Sequence, residues 1–201
     1  MKKDRLEAFS DGVIAILITI MVLELKIPAG STWEALRPVM PVLLTYILSF
    51  VYLGIYWNNH HHMFQAIDRV NGTILWANLH LLFWLSLIPF VTGWMGENHF
   101  APLPTAVYGG VLILAAIAYT ILVMTLLAEH GPDSRLARAL GSDVKGKLSI
   151  VIYAAAIGLA FVNHWIAHAL YVCVALMWLV PDRRIESRFL ADDTPQQRLK
   201  G

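Results

Sequence analysis

The feature that most constrains this chain is an apolar run from Leu148 to Val180, broken by Asn163 and His164. A bilayer core of about 30 Å takes about 20 helical residues to cross, so the run is too long for one span. It predicts a tight helical hairpin with two short arms. The run is continuous and does not alternate, and only helices or closed barrels satisfy their backbones in lipid. Helices are therefore expected.

Four more apolar segments precede this hairpin, and prolines flank several of them, as expected where helices start or stop. Composition agrees, since 58% of the 201 residues are hydrophobic, 14% are charged and the mean hydropathy is +0.61. We expect an all-α integral membrane protein with six transmembrane helices per subunit, forming one domain over residues 1–201 with a short cytoplasmic tail at 182–201. The predicted spans are 6–27, 39–59, 73–94, 105–128, 148–162 and 165–181.

Basic residues give the predicted orientation. With the N-terminus inside, thirteen of the fifteen Lys and Arg residues fall in inner regions, and only Lys26 and Arg37 fall in outer loops. The positive-inside rule then places both termini in the cytoplasm. Asp11 interrupts the lead-in to the first segment and no clear small-x-small cleavage site follows it, so we expect a retained span rather than a signal peptide. The basic residues form no dense arm, so no nucleic-acid partner is expected.

The first segment, RLEAFSDGVIAILITIMVLELKIP, carries one apolar face and one acid. At about 100° per residue, Gly12, Ile16, Thr19 and Leu23 stack in one stripe, with Ile20 on its edge. Such a stripe is more often a lipid-facing or packing surface than the lining of a pore, and both interpretations stay open on the residues alone.

Asp11 lies about 100° away from that stripe, so it should point sideways toward a neighbouring helix. An acid within a membrane span normally marks a function and needs a partner. Arg5 is the nearest candidate but is poorly placed on the same helix, which favours pairing across a subunit boundary. The alternative is that Ser10 or Asp11 caps the start of the helix.

The spacing Arg5-x-x-x-Phe9-Ser10-Asp11, followed by GVIAILIT, resembles the signature of the transmembrane protein 175 family. These are the endosomal and lysosomal potassium channels, which have single-repeat bacterial and archaeal relatives. The segments YILSFVYLGIYWNNHHHMF and LWANLHLLFWLSLIPFVTGW extend the resemblance over the first half of the chain.

This resemblance implies a potassium channel, modestly selective over sodium, and not an enzyme. It implies that the first helix of each subunit lines a central pore, with the narrowest apolar ring at Ile16, and with Thr19, Ile20 and Leu23 further along. Conduction would be a passive leak through this hydrophobic constriction, which gates by excluding water. Because one chain carries one repeat, a homotetramer is implied.

The resemblance also implies a polar network that holds the first helix to its neighbours and contains Asp11. Its members would come from the motif and from the second and third spans: Arg5, Phe9, Ser10, Asp11, Trp57, Asn58, His61, Asn78 and His80. The implied partners are the lipid bilayer and permeating K⁺ with other monovalent cations. The implied location is a prokaryotic plasma membrane, and no cofactor is expected.

The histidines leave two other functions possible. A proton-coupled transporter would use Asp11 and His80 as a relay, and a membrane metalloprotein would use histidine ligands. His164 and His168, four residues apart, are the best-spaced pair for Zn²⁺, but we expect packing histidines and no metal because no carboxylate is close in sequence.

Overall fold

The computed structural model describes residues 3–140 and 144–179, and the side chains of residues 139 and 140 lie outside this description. The predicted tail at 182–201 also lies outside it. The described chain is helical, with a short 3-10 turn at Arg37–Val39 between α2 and α3. The helices are α1 (Lys3–Leu23), α2 (Trp33–Leu36), α3 (Met40–Gln65), α4 (Gly72–Ser86), α5 (Ile88–Glu97), α6 (Pro102–His130), α7 (Arg135–Leu140), α8 (Val144–Leu159) and α9 (His164–Leu179).

Four helical stretches in the described part of the chain are long and apolar enough to cross a bilayer. They are Lys3–Leu23, Trp33–Gln65, Gly72–Glu97 and Pro102–His130, and His164–Leu179 is a shorter apolar helix. α8 and α9 have 16 residues each, consistent with the short arms expected of the hairpin. The structure therefore confirms an all-helical protein with several apolar helices long enough to cross a membrane.

Several helix ends differ from the predicted spans, and two of these differences concern α1 and α3. α1 ends at Leu23, four residues before the predicted boundary at 27, because Leu25 N–H turns back to the carbonyl of Val22. α3 continues six residues past the predicted end at 59 and closes with Ala66 N–H bonded to the carbonyl of His62. The three consecutive histidines therefore belong to the helix.

The third predicted span is one helical path with a break at Leu87. α4 ends at Ser86 and α5 begins at Ile88, with Pro89 in the first turn of α5. Proline lacks the N–H that would continue the helical ladder and its ring crowds the preceding turn. The break therefore has a local cause in the sequence.

Small side chains allow the helices to pack closely, as is usual in membranes where the hydrophobic effect does not drive helix association. A Cβ at Gly96 of α5 would lie 2.7 Å from the Cα of Val42 on α3. A Cβ at Gly109 of α6 would overlap the hydroxyl of Tyr171 on α9. α1 packs against α3, α4 and α5, which positions its polar residues beside those helices.

Candidate functional site

A buried chain of hydrogen bonds joins the N-terminal half of α1 to α4 and α3. The Ser10 hydroxyl donates to the carbonyl of Leu6 at 2.9 Å and accepts from Asn78 Nδ2 at 3.0 Å. Asn78 Oδ1 lies 2.8 Å from His60 Nε2. All three polar side chains are 0% exposed. One serine of α1 is thus fixed to α4, and through it to α3.

The direction of these bonds sets the tautomer of His60. Since the amide oxygen of Asn78 can only accept, Nε2 of His60 carries the hydrogen and Nδ1 keeps its lone pair. Nδ1 is buried and has no hydrogen-bond partner among the described residues. The ring instead stacks on Phe64, with centroids 4.3 Å apart. A charged ring would need a second buried acceptor, so this arrangement suits the neutral imidazole.

Asp11 faces α3, where its carboxylate accepts a hydrogen bond from Trp57. The distance from Trp57 Nε1 to Asp11 Oδ1 is 3.0 Å. The capping interpretation of Ser10 and Asp11 is wrong, because α1 already extends from Lys3 and both residues lie well inside it. The acid serves as an acceptor between helices instead.

A second contact between α1 and α3 lies one helical turn before Asp11. His61 Nδ1 is 2.9 Å from Glu7 Oε1, and His61 Nε2 is 2.8 Å from Gln65 Nε2. The amide nitrogen can only donate, so Nε2 of His61 accepts and Nδ1 carries the proton. The Glu7 contact is not a hydrogen bond by its geometry, and with a neutral His61 it is a close polar contact rather than a full ion pair. The His61 ring stacks on Trp57 with centroids 5.9 Å apart, which joins the two contacts.

The other predicted members of the polar network do not join it within one subunit. Arg5, Phe9 and Asn58 are exposed, and no acidic side chain of the described residues lies within ion-pair distance of Arg5. His80 is exposed and accepts a hydrogen bond from Trp84 Nε1 at 2.9 Å, one turn along the same helix. No hydrogen bond joins His80 to Asp11 in this part of the chain.

The apolar stripe of α1 lies on the side of the helix that faces away from its own subunit. Ile16 is 57% exposed, Ile20 is 41% exposed and Leu23 is 80% exposed. Thr19 is also exposed, and its hydroxyl donates to backbone carbonyls one turn back, at 3.1 Å to Ala15 and 3.0 Å to Ile16. The opposite face holds the buried residues Leu6, Ser10, Ile14, Leu17 and Met21.

The histidine pair at the start of α9 is packed among aromatic rings. His168 Nδ1 donates to the carbonyl of His164 at 2.6 Å, and its ring meets the edge of Phe100 with centroids 4.9 Å apart. The described ranges contain no group of three or more His, Cys, Asp or Glu side chains that could hold a metal ion. The pair therefore has no third protein ligand within these ranges.

Sequence reasoning missed a second polar network, built from hydroxyl groups in the middle of the bundle. Ser49 Oγ lies 2.6 Å from Thr92 Oγ1 and 3.0 Å from the hydroxyl of Tyr108. The hydroxyl of Tyr52 donates to the carbonyl of Tyr171 at 2.6 Å. A cavity of about 40 Å³ lies beside this network, lined by tyrosines of α3, α6 and α8. In the sequence, this network is indicated by tyrosines in the middle of apolar segments.

An exposed ion pair joins the loop after α1 to the end of α5. Lys26 Nζ lies 2.8 Å from Glu97 Oε1. The hydrogen bond to Glu97, with the charge of that carboxylate, raises the pKa of Lys26, and the charge of Glu24 adds to the rise. Glu24 itself is exposed and directly follows α1.

Comparison with known proteins gives consistent results. A family model described as the endosomal/lysosomal potassium channel TMEM175 matches residues 5–89. A potassium channel of Chryseobacterium sp. is 58% identical over 186 residues, covering 92% of this chain and 97% of that protein. A potassium channel of Streptomyces collinus is 33% identical over 187 residues, covering 87% and 90% of the two chains.

A solved structure is also similar. The crystal structure of a lysosomal potassium-selective channel TMEM175 homolog from Chamaesiphon minutus matches with a TM-score of 0.72 at 26% identity. The match covers 89% of this chain and 96% of that one.

The helices and the motif contacts of α1 define an all-helical integral membrane protein whose first helix is tied to the bundle by buried polar groups. The extent and identity of the matches then identify the family. The chain belongs to the TMEM175 family, which confirms the resemblance seen in the Arg5 to Asp11 motif.

Proposed function

We propose that this protein is a potassium channel that conducts passively and favours K⁺ modestly over Na⁺. Family membership supports this, because the bacterial relatives that match nearly the whole chain are named potassium channels. The chain then acts in the plasma membrane of a prokaryote, with six spans and both termini in the cytoplasm. No catalytic step is needed, since the ion gradient and membrane potential drive the flux.

The observation that carries the proposed pore is the orientation of α1. Its stripe of Ile16, Thr19, Ile20 and Leu23 faces out of the subunit, while Ser10 and Asp11 face the bundle. One exposed helix face cannot enclose a path for ions, but four copies around an axis can. The proposed assembly is therefore a homotetramer.

The proposed constriction is a ring of four Ile16 side chains. An apolar ring this narrow excludes water when closed, and a cation must shed hydration water to pass when it widens. The Thr19 hydroxyl points its hydrogen back to its own helix, which leaves oxygen lone pairs for a partly dehydrated ion. K⁺ sheds water more readily than Na⁺, so selectivity should be modest.

The polar contacts of α1 would hold this helix at the correct rotation. The Ser10–Asn78 and Asp11–Trp57 hydrogen bonds lie on faces other than the proposed pore face. Their role in this proposal is assembly and gating rather than ion contact.

The test is ion flux into liposomes that contain the purified protein, with K⁺ and Na⁺ gradients compared. We expect faster K⁺ than Na⁺ flux in the native protein, and a higher flux with lower selectivity in Ile16→Asn because the polar ring stays wet. Ile121→Asn is the matched control, since Ile121 is 40% exposed on α6.

Two results would contradict the proposal. Absence of K⁺ flux in the native protein would remove the channel function. Equal behaviour of Ile16→Asn and Ile121→Asn would remove Ile16 from the pore. The particle mass should be four times the 22.5 kDa chain mass.

A further inference from the structure

Three charged side chains lie together just beyond the end of α1, and only two of them form an ion pair. Lys26 lies 2.8 Å from Glu97 Oε1, so each of these two residues offsets the charge of the other. Glu24 is exposed, and no Lys, Arg or His of the described ranges lies within ion-pair distance of it. This group of three side chains therefore carries one net negative charge.

The position of Glu24 along the chain places this charge near the end of the proposed pore helix. It directly follows Leu23, the last residue of α1, which is 80% exposed on the stripe. At 1.5 Å per residue, Glu24 lies about 12 Å along the helix axis from the proposed ring at Ile16. It is therefore beyond the apolar stripe, on the outer side.

We propose that the four Glu24 carboxylates form an acidic ring at the outer mouth that concentrates cations before they enter the pore. This inference rests on the proposed function, in which four copies of α1 surround the conduction path. Rings of Asp or Glu serve this purpose in cation channels, because negative charge at a mouth raises the local cation concentration.

The size of the effect follows from Coulomb's law and salt screening. If the four carboxylates are placed about 10 Å from the axis of the proposed tetramer, they raise the cation concentration at the mouth about sevenfold in about 10 mM salt, where the Debye length is about 30 Å. In about 1 M salt the Debye length is about 3 Å and the same charges change it only about 1.1-fold. The effect of the ring must therefore depend strongly on salt.

The experiment measures K⁺ conductance of the full-length protein in planar bilayers at these two salt concentrations. We expect Glu24→Gln to lower conductance by up to about sevenfold at about 10 mM KCl and to match the native protein at about 1 M. Glu34→Gln is the matched control, because Glu34 is an exposed acid on α2 rather than at the end of α1. It should leave conductance unchanged at both concentrations.

A second variant tests the charge on an assembled channel. In a Cys173→Ala background, Glu24→Cys should regain conductance at low salt with an anionic thiol reagent and lose more with a cationic one. Equal low-salt conductance of Glu24→Gln and the native protein, or no response to the reagent's charge, would overturn the acidic ring. Absence of K⁺ conductance in the native protein would instead refute the channel itself.

Discussion

Replacing Asn78 with Leu should destabilise the protein by about 2–4 kcal/mol. The substitution removes the hydrogen bonds to Ser10 Oγ and His60 Nε2. Side-chain hydrogen bonds within membranes average about 0.6 kcal/mol each. It also leaves the buried N–H of His60 without an acceptor, which costs about 1–3 kcal/mol. The unsatisfied N–H of His60 is the larger contribution to this loss of stability.

A double-mutant cycle isolates that contribution. His60→Leu alone should orphan the amide oxygen of Asn78, whereas the double variant removes both partners together. We therefore expect the double variant to be milder than the sum of the single ones by about 1–3 kcal/mol. The assay is the free energy of unfolding from a detergent titration in mixed micelles. Asn98→Leu is the control, since Asn98 is exposed and its side-chain amide donates to the carbonyl of Trp94 on its own helix turn.

Additive effects of the two single substitutions, within about 0.5 kcal/mol, would refute this reasoning. They would mean that Asn78 and His60 do not share a hydrogen bond in the folded protein. A loss in Asn98→Leu equal to that in Asn78→Leu would also refute it, because burial would then not decide the cost.

Two further predictions concern packing and pH. Gly109→Ala should destabilise the protein by about 1–3 kcal/mol, since its Cβ would displace the hydroxyl of Tyr171, whereas Gly110→Ala has open space and should not; thermal unfolding of both variants checks this. The pKa of Lys26 is raised above its usual 10.5, so wherever Glu97 is ionised the pair is complete below that pH and is lost as pH rises through the raised value. The difference in Tm between native protein and Lys26→Met should therefore stay constant from about pH 6 to about pH 9.

Which residues of α1 share a face could be predicted from the sequence, because helical periodicity alone fixes this; how that face is turned in the bundle could not. The spacing of Ile16, Thr19 and Leu23 places them together, and Asp11 about 100° away. In the structure the three stripe residues are exposed and Asp11 contacts Trp57 on α3. A single helix carries this information without reference to its neighbours.

The choice of histidine could not be predicted in the same way. Three consecutive histidines point in directions about 100° apart, and the sequence does not say how α3 is rotated against α1 and α4. His61 was expected in the network and lies beside Glu7, but the buried member bonded to Asn78 is His60. Tertiary packing decides between them.

Two further features of the structure have local signals in the sequence. Glu7 precedes Asp11 by one helical turn, so the sequence predicts that both acids face similar directions. Pro89 inside the third apolar segment was sufficient to predict the break at Leu87.

The most direct test of the proposed pore is whether Cd²⁺ blocks K⁺ flux through the Ile16→Cys variant in a Cys173→Ala background. Four thiolates meeting at one axis would bind a soft divalent ion such as Cd²⁺, as cysteine sulfur prefers. We predict that micromolar Cd²⁺ stops K⁺ flux through this variant and leaves Cys173→Ala unaffected. Unchanged K⁺ flux with Cd²⁺ present, in a variant that conducts, would contradict the claim that Ile16 lines the narrowest part of the pore.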